Sequence, residues 1–274
     1  MGNTCYVASI IQTLRSHPEL YGSYQENELH SNLAKSFQNL MTSMNFRHQL
    51  APIDFLDTLG EVFLNEFRVN EQQDVPDILQ RILNDFAQCT FIQKDDIEIR
   101  SSHETRCYTC NNIRTSIDSN FILPITVSCT IQDSLDLFFV DVPLTGENQY
   151  NCETCNGRQD AVQHTSISKI PKFLFLQLRR FSIFQGERSE NDAIVYPNEI
   201  IRIKTKVNGL EETVSFELAS VIHHIGEIDH GHYISYINVA GQWNKCDDTR
   251  HTRPIDLFQI DNSGGYLFMY KVRN

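Results

Sequence analysis

The sequence predicts an α+β fold in which a helical first third precedes a β-rich remainder. Up to about residue 90, apolar residues recur at the three- and four-residue spacing that puts them on one face of a helix. From about residue 91, short alternating or wholly apolar runs between polar turns replace this pattern, as expected for strands. The chain has 274 residues and no internal repeat or low-complexity linker. We therefore expect one domain over residues 1–274.

The composition is that of an ordinary soluble globular protein, with 41% hydrophobic and 21% charged residues. A formal net charge of −12 argues against a nucleic-acid partner, which would attract basic surfaces. No apolar run is long enough to span a membrane, and no secretory signal opens the sequence. We expect an intracellular protein, cytoplasmic or nuclear or both, whose eight cysteines stay reduced.

Four amphipathic helices are predicted before residue 90. The first begins at about Cys5, where Asn3 and Thr4 are both suitable N-cap residues. The fourth follows Asp74, another suitable N-cap residue, and Pro76 is tolerated in its first turn. The apolar faces of the second, third and fourth helices are Leu33, Phe37, Leu40, Met41 and Met44; Phe55, Leu56, Leu59 and Phe63; and Val75, Ile78, Leu79, Ile82, Leu83 and Phe86.

Strands dominate the prediction from residue 91 onward. The predicted β segments are 91–92, 97–99, 121–125, 173–178, 214–222, 232–239, 242–246 and 266–272, with a short helix over 131–139. Asn208-Gly209 signals a hairpin. The polar segment 186–192 and the glycine-bounded segment 226–231 are predicted to be loops.

Cys5 is a candidate nucleophile. In the first turn of a helix, free N–H groups and the positive end of the helix dipole favour a thiolate, which is a much stronger nucleophile than a thiol. A buried structural cysteine is the alternative, since that is the commonest fate of a free cysteine. A nucleophile also needs a base, which can lie far away in the sequence.

A candidate base, His232, lies near the other end of the chain. It is expected to begin a strand, which fixes the direction of its ring, and it follows a glycine that lets a substrate come close. Asp247 or Asp248 could accept a hydrogen bond from the imidazole Nδ1–H and fix the tautomer. Since successive strand residues point to opposite faces, only one of them is expected to face His232. The other histidines of this region, which fit surface or buried structural positions, are His223, His224 and His230.

Two CxxC pairs predict a structural zinc site. Cys107 with Cys110 and Cys152 with Cys155 are separated by 41 residues, more than in a simple zinc ribbon. Two hairpin tips folded back on each other would still bring four thiolates into the tetrahedron that Zn²⁺ prefers. Four unligated thiols are the alternative. Neither pair opens a thioredoxin-like βαβ unit, so a redox role is not favoured.

The segments around Cys5 and His232 resemble the Cys box and His box of the ubiquitin-specific proteases, cysteine peptidases that cleave ubiquitin from proteins. Further segments that carry this resemblance are 71–75, 144–150, 152–155 and 176–181. The resemblance implies a papain-like fold with a helical thumb over about residues 1–90. It also implies zinc-tipped β fingers largely over 91–165 and a β-rich palm largely over 166–274.

The resemblance also implies roles for individual residues. Cys5 would be the nucleophile and His232 its base, and Asp247, four residues after the tryptophan, would orient the imidazole. The four paired cysteines would hold zinc, with no cofactor for the chemistry itself. The channel for the ubiquitin tail would be lined by Gln72, Gln73, Asp74 and Tyr233, and the segment 186–192 would lie over it. Asp74 would pair with an arginine of the tail. The simpler interpretation of Asp74 is that it caps a helix, and the simpler interpretation of Tyr233 is that it packs in the core.

The implied activity is hydrolysis of the isopeptide or peptide bond after the ubiquitin C-terminal Gly-Gly, through a Cys5 thioester. Ubiquitin and ubiquitinated proteins are the expected partners of a monomeric domain. A peptidase for another ubiquitin-like modifier and a non-catalytic ubiquitin-binding scaffold remain alternatives. The family usually has an oxyanion-stabilising asparagine five residues before the nucleophile, but only four residues precede Cys5. Either residues precede this sequence in the native chain, or another group takes the place of that asparagine. We expect Asp248 to do so through a bound water, and Asn3 is the less favoured substitute.

Overall fold

The computed structural model describes residues 3–21, 31–46, 51–63, 71–184, 187–207, 210–227, 230–248, 250–260 and 263–273. The helices are α1 (Cys5–Arg15), α2 (Asn32–Phe46), α3 (Ile53–Val62), α4 (Val75–Gln88), α5 (Lys94–Ile97) and α6 (Ile131–Phe138). None of the helices in these ranges is long and apolar enough to cross a membrane. Five of the six lie before residue 98, which confirms the predicted order of a helical part followed by a β-rich part.

The strands follow from Ile99 to the end of the described chain. They are β1 (Ile99–Cys107), β2 (Ile113–Asn120), β3 (Ile122–Ile125), β4 (Val142–Leu144), β5 (Tyr150–Cys152), β6 (Gly157–Gln159), β7 (Ala161–Lys169), β8 (Phe173–Leu178), β9 (Phe181–Phe184), β10 (Glu187–Glu190), β11 (Ile200–Val207), β12 (Leu210–Glu227), β13 (His230–Val239), β14 (Gln242–Asp247), β15 (Arg250–Ile255) and β16 (Gly265–Val272).

Most of these strands form one sheet of twelve strands. Its main path runs β15-β14-β13-β12-β11-β7-β1-β2. Strand β16 lies off this path and pairs with both β12 and β8. Neighbours pair antiparallel except β3 with β8 and β11 with β7, which pair parallel. Two hairpins stand apart from this sheet, β5–β6 and β9–β10. The path leads from β15, β14 and β13 at one end of the sheet to β1 and β2 at the other.

The predicted helices form because their apolar faces pack into one core. Phe37, Phe86 and Phe91 meet at ring-centroid separations of 4.9–6.1 Å, and Phe37 also contacts Phe55 at 5.7 Å. Aromatic rings at such separations bury large apolar area and add specific edge-to-face contacts. This core also takes in Tyr233 of β13, so the helical part is completed by a strand of the large sheet.

The strand prediction for residues 91–92 and for residue 97 is wrong. Phe91 and Ile92 form a turn after α4, and Ile97 ends the short helix α5. All three side chains are buried in the core of the helical part. Their apolar character therefore reflects packing against helices, and the β pattern begins only at Ile99.

Both predicted loops before His232 are largely strand. Residues 187–190 form β10, which pairs antiparallel with β9, and β12 continues to Glu227 before β13 starts at His230. Glycine and polar residues favour turns, but a backbone that has a ladder partner gains hydrogen bonds that outweigh this preference. The β11–β12 pairing up to Val207 and Leu210 confirms the predicted hairpin, although Asn208-Gly209 itself lies outside the described residues.

The large sheet separates two cores. Alternate residues of β12 and β13 point to opposite faces, as the strand period of two requires. Tyr233 and Ile222 join the core of the helical part, whereas Val221, Ile234 and Tyr236 join a second core with α6 and β16. The strand that carries His232 is thus fixed from both sides.

Candidate active site

Cys5 is the first residue of α1, as predicted, and its thiol is buried. Thr4 occupies the N-cap position, but its side chain makes no capping hydrogen bond. Asn3 precedes it with a left-handed backbone φ of 57°, a conformation that asparagine tolerates better than most residues. Helix α1 packs against β13, which brings the thiol to the strand that carries His232.

The pKa of the Cys5 thiol is raised above its ordinary value. Burial is the main cause, and the negative charge of Asp248 adds to it, while the backbone N–H groups of Tyr233, Tyr6 and Cys5 itself oppose the rise. The helix N-terminus therefore supplies donors, as expected, but does not by itself produce a thiolate. A nearby base is required to remove the proton.

His232 and Asp247 form a close pair. The Asp247 Oδ1 atom lies 2.8 Å from His232 Nε2. The predicted hydrogen bond from Nδ1 is therefore wrong, because the carboxylate lies at the other nitrogen of the ring. In the neutral imidazole, Nε2 then carries the hydrogen and Nδ1 presents its lone pair. That tautomer leaves Nδ1 able to accept a proton.

Asp248 also faces His232, so the expectation that only one carboxylate can do so is wrong. Its Oδ2 atom lies 4.0 Å from His232 Nδ1. Strand β14 ends at Asp247, and Asp248 has a left-handed φ of 46°. Strand alternation no longer applies after such a turn, and the side chain returns toward the imidazole.

The hydrogen bonds that reach Cys5 within the described residues come from backbone N–H groups rather than from the imidazole. Catalytic hydrogen bonds are often long before a substrate is bound. The arrangement places a thiol, a histidine and two carboxylates at one junction of α1, β13 and β14. It can support nucleophilic attack once the imidazole reaches the sulfur.

Asp74 takes the N-cap position of α4 but does not cap it with its side chain. The capping role considered from the sequence is therefore wrong. Its carboxylate instead accepts a hydrogen bond from the Tyr266 hydroxyl at 2.9 Å and from the Tyr233 hydroxyl at 3.4 Å. Burial raises the pKa of Asp74 to about 6 despite these donors. The Tyr266 hydroxyl in turn accepts a hydrogen bond from Gln177 Nε2 at 3.0 Å.

Gln72 joins the helical part to the strand of His232. Its Oε1 atom accepts a hydrogen bond from the backbone N–H of Gly231 at 3.0 Å. Gln72 and Gln73 are both half-buried. The predicted tail-channel residues therefore lie where the segment before α4 meets β13: Gln72 contacts Gly231, and Asp74 contacts Tyr233.

The lack of a side chain at Gly231 makes room for the ring of His224, and not only for a substrate as the sequence suggested. A Cβ atom at this position would lie 2.0 Å from His224 Nε2. The His224 ring packs on Tyr233 with 4.7 Å between centroids, and burial lowers its pKa to about 4. His223 and His224 are both buried, which supports the structural interpretation of these two histidines. The side chain of His230 lies outside the described residues.

The four paired cysteines converge as predicted. Their sulfur atoms all lie within 4.8 Å of one another, with 4.0 Å between Cys107 and Cys155 and 3.6 Å between Cys110 and Cys152. A tetrahedral zinc with Zn–S bonds of about 2.3 Å requires sulfur separations of roughly 3.8 Å. The donor set and its spacing therefore fit a structural zinc ion.

Each CxxC pair is followed by an asparagine in the left-handed conformation. Asn111 has φ 58° and Asn156 has φ 50°. The backbone N–H of Asn111 bonds to the carbonyl of Cys107 at 3.0 Å, which closes the turn around the thiols. The repeated sequence CxxCN was a signal for two equivalent metal-binding turns that the sequence analysis did not use.

Sequence reasoning also missed two side chains that shape the site, namely Tyr266 and Arg180. Arg180 is buried and donates to the carbonyls of Gly265 at 2.7 Å, Asn191 at 2.8 Å and Ala193 at 2.9 Å. It therefore fastens the segment directly after β10 to the start of β16. The available signal was the pair of arginines that follows the most apolar strand, because a buried arginine must find acceptors.

A helix that begins at a cysteine and packs against a strand whose histidine pairs with an aspartate is the arrangement of the papain-like cysteine peptidases. The α+β architecture, with a helical part beside a large sheet, is that of the ubiquitin-specific type. The family described as ubiquitin carboxyl-terminal hydrolase matches residues 1–270 of the chain. The chain belongs to this family, which confirms the resemblance and the fold inferred from the sequence.

Curated relatives share this family. The chain is 26% identical over 330 aligned residues to ubiquitin carboxyl-terminal hydrolase 8 of Saccharomyces cerevisiae, covering 100% of the chain and 69% of that protein. It is 27% identical over 256 residues to probable ubiquitin carboxyl-terminal hydrolase 9 of Schizosaccharomyces pombe, covering 90% and 38%. Against ubiquitin carboxyl-terminal hydrolase 2 of Homo sapiens it is 23% identical over 330 residues, covering 99% and 54%. The chain thus spans between about two fifths and two thirds of these relatives.

Solved structures show the same fold. The SAGA DUB module of Ubp8, Sgf11, Sus1 and Sgf73 bound to ubiquitin aldehyde matches with a TM-score of 0.82 and 22% identity. A second structure of this module, with a Ubp8 variant and bound to monoubiquitin, matches with a TM-score of 0.85 and the same identity. Both matches cover 100% of this chain and 68% of the other.

Proposed function

We propose that this chain is a thiol-dependent deubiquitinase that hydrolyses the isopeptide or peptide bond after the C-terminal Gly-Gly of ubiquitin. The observation that carries the proposal is the meeting of Cys5, at the start of α1, with the strand of His232, whose Nε2 lies 2.8 Å from Asp247. Family membership points to the same reaction class.

The proposed reaction has two steps. His232 Nδ1 takes the proton of Cys5, and the sulfur attacks the carbonyl carbon of the terminal glycine. The imidazolium then gives that proton to the departing amine as the C–N bond breaks, which leaves a thioester. A water, deprotonated by His232, hydrolyses the thioester and releases ubiquitin. Asp247 holds the ring and stabilises its charged form.

The oxyanion needs its own donors. The backbone N–H of Cys5 is available at the start of α1, and we assign a second donor to a water held by Asp248. An ionised carboxylate cannot donate a hydrogen bond itself, so the water must do so. Asn3 is the less favoured substitute, two residues before the nucleophile. One well-placed donor is worth about 10²–10³ in rate.

We assign the ubiquitin tail to a channel lined by Gln72, Gln73, Asp74 and Tyr233. The Asp74 carboxylate offers a partner for an arginine of the tail. Side chains larger than glycine would not fit a narrow channel between the helical and β-rich parts, which gives the Gly-Gly requirement a physical source. The segment 186–192, which forms β10 over 187–190, is proposed to lie over the tail.

The remaining assignments concern organisation. We divide the single catalytic domain, residues 1–274, into a thumb over about 1–90, fingers largely over 91–165 and a palm largely over 166–274. Zinc in the four-cysteine site is proposed to stabilise the fingers and to take no part in the chemistry. Reduced thiols in that site favour an intracellular location. A monomeric catalytic domain acting on ubiquitinated proteins remains our prediction.

The test uses ubiquitin that carries a C-terminal electrophile. Wild-type protein should form a covalent adduct, seen as a mass shift, and Cys5→Ala should bind the same ubiquitin without forming it. Cys129→Ala is the matched control, because Cys129 is an exposed free thiol and its loss should leave the adduct intact. An adduct that survives in Cys5→Ala would contradict the nucleophile assignment.

The same assay separates the alternatives. Binding of ubiquitin without an adduct in the wild type would indicate a scaffold. An adduct with the probe of a ubiquitin-like modifier, but not with that of ubiquitin, would indicate a different substrate. In a turnover assay, residual cleavage by Cys5→Ala above about one-thousandth of wild type would also contradict the assignment, since losing the nucleophile removes the main pathway.

A further inference from the structure

Three side chains of the kinds that can bind a metal ion meet at the proposed active site, apart from the four-cysteine cluster. His232, Asp247 and Asp248 each offer one ligand atom, and these atoms lie within 4.8 Å of one another. The His232 side chain is 39% exposed and that of Asp248 is 44% exposed, while Asp247 is 15% exposed. An ion from solvent can therefore reach His232 and Asp248 without opening the fold.

The orientation of the imidazole suits metal binding. Asp247 accepts from Nε2 at 2.8 Å, and a metal-bound histidine almost always donates its other ring N–H to a carboxylate in this way. The lone pair of Nδ1 is then directed away from Asp247. Asp248 Oδ2 lies 4.0 Å from Nδ1, too far for a hydrogen bond. Two ligands of one tetrahedral ion with bonds of about 2.0–2.2 Å lie roughly 3.3–3.6 Å apart, so a small side-chain movement suffices.

We propose that His232 Nδ1 and Asp248 bind a divalent transition-metal ion, with Zn²⁺ as the best match to their nitrogen and oxygen donors, and that this ion inhibits the site. Asp247 orients the imidazole from behind, and water completes the coordination. The site is distinct from the four-cysteine cluster, whose donors are all sulfur.

Inhibition follows from the use of one lone pair for two purposes. The Nδ1 lone pair that would accept the proton of Cys5 is the same one that would bind the metal. An imidazole that holds Zn²⁺ cannot act as a base, so metal binding and proton transfer exclude each other. The inference about binding does not depend on catalysis, whereas the inference about inhibition rests on the proposed function.

Equilibrium dialysis with Zn²⁺ tests the binding directly. The wild type should bind one more Zn²⁺ per chain than His232→Ala, whatever the occupancy of the four-cysteine cluster. Asp248→Ala should lose the same ion and serves as the second variant if His232→Ala does not fold. Asp247→Asn should keep the ion with an affinity about 10–100-fold lower, as for other groups that orient a metal ligand.

His164→Ala is the matched control. His164 Nδ1 also lies close to a carboxylate, 2.7 Å from Asp141 Oδ1, and both side chains are largely exposed. This variant should bind as many Zn²⁺ ions as the wild type. Equal zinc in the wild type and in a folded His232→Ala or Asp248→Ala protein would overturn the proposal, and so would loss of the ion in His164→Ala.

Co²⁺ provides a spectroscopic check on the ligands. In Cys5→Ala, the ion that depends on His232 should still bind, and its absorption should lack the sulfur-to-cobalt band that the cysteine cluster produces. Loss of the ion in Cys5→Ala would overturn the ligand set. In the active protein, half-inhibition by Zn²⁺ should occur at the dissociation constant from dialysis. If the protein cleaves no substrate, the dialysis result still decides whether the metal site exists.

Discussion

At the scale of single residues, Asp74 shows how the surroundings of a side chain decide its role. Its position before α4 suits a helix cap, yet its carboxylate turns to Tyr233 and Tyr266 instead. The N-cap preference of aspartate predicted the start of the helix correctly, because α4 begins directly after Asp74. The partners of the side chain come from β13 and β16, more than 150 residues away, and no local pattern contains them.

The raised pKa of Asp74 predicts a pH-dependent KM. The group is neutral below about pH 6 and ionised above it, and only the ionised form attracts a cationic residue of the tail. The wild-type KM should therefore fall as the pH rises through about 6. In Asp74→Asn the KM at pH 7.5 should be at least about tenfold higher than in the wild type, or roughly 1.4 kcal/mol, with kcat less affected. Steady-state kinetics between pH 5 and 8 measure both.

Two further measurements make this prediction specific to charge. The difference between wild type and Asp74→Asn should vanish near pH 5 and shrink with added salt, because salt screens the pair. Asp54→Asn is the control, since Asp54 is an exposed carboxylate in the first turn of α3. A fall in melting temperature of Asp74→Asn without any change in KM would assign Asp74 a structural role.

The His–Asp pair marks the limit of sequence reasoning at this scale. His232 and Asp247 were both identified from motifs, but the nitrogen that faces Asp247 was not. That choice depends on the angle between β13 and β14 and on the ring rotamer. The approach of Asp248 to the same ring depends on one left-handed residue after a strand end, which alternation rules do not foresee.

At the scale of elements, the β12–β13 hairpin positions His232. The hairpin is held by the Gln72 bond to Gly231 and by the His224 ring that fills the space above that glycine. Any side chain at position 231 would therefore push against His224 and, through it, against Tyr233. The hairpin tolerates no bulk at this point, although it is otherwise ordinary antiparallel strand.

Gly231→Ala should destabilise the protein by about 1–3 kcal/mol, the usual cost of overpacking, and should lower kcat because the next residue is His232. Urea unfolding and steady-state kinetics measure the two effects. Gly157→Ala is the control, since a Cβ there meets no atom within 4 Å, and its effect should stay within about 0.5 kcal/mol. Removing the ring in Gly231→Ala/His224→Ala should recover part of the loss, and full additivity of the two changes would contradict the proposed clash.

The two cysteine turns predict a metal-dependent element. Metal analysis of the wild type should give close to one zinc per chain when no zinc has been added. Cys107→Ser should lose this ion, and its melting temperature should fall by about 10 °C or more, because a structural ion contributes directly to folding. Cys129→Ser should behave as the wild type. A metal-free Cys107→Ser protein that melts normally would refute a structural role for zinc.

Helices were predicted more accurately than strands, and the reason is physical. An amphipathic helix carries its pattern within 10 to 15 residues, as α1, α2, α3 and α4 do. A strand such as β2 is exposed along nearly its whole length and has no apolar pattern to detect. It exists because β1 provides a ladder partner. Residues 187–190 likewise become strand only through pairing with β9.

At the scale of the whole molecule, Glu98 joins the helical part to the sheet. Its side chain is only 1% exposed and bonds to Lys94 of α5 at 3.1 Å, Arg100 of β1 at 2.7 Å and Lys169 of β7 at 2.8 Å. Burial alone would raise the pKa of Glu98, but hydrogen bonds from Lys169, Lys94 and Arg100 outweigh it and lower the pKa to about 2.

Glu98→Gln should therefore lower the free energy of unfolding at pH 7 by about 1–3 kcal/mol. A lowered folded-state pKa stabilises the protein above the ordinary value of 4.5 and loses this contribution as the pH falls toward 2. The difference between wild type and variant should thus shrink between pH 4.5 and 2, as measured by urea unfolding. Asp95→Asn is the control, because Asp95 contacts the same Lys169 but is 83% exposed. An equal effect of both variants would contradict the role of burial.

The packing of α1 against β13 has a consequence for the order of events during synthesis. More than 220 residues separate Cys5 from His232, and at translation rates of about 5–20 residues per second this corresponds to roughly 10–45 s. Helix α1 is therefore made well before Tyr233 and Tyr266, which belong to the same core. A nascent chain thus carries the Cys5 thiol before its proposed base, so we expect it to remain inactive until β13 and β16 have joined the sheet.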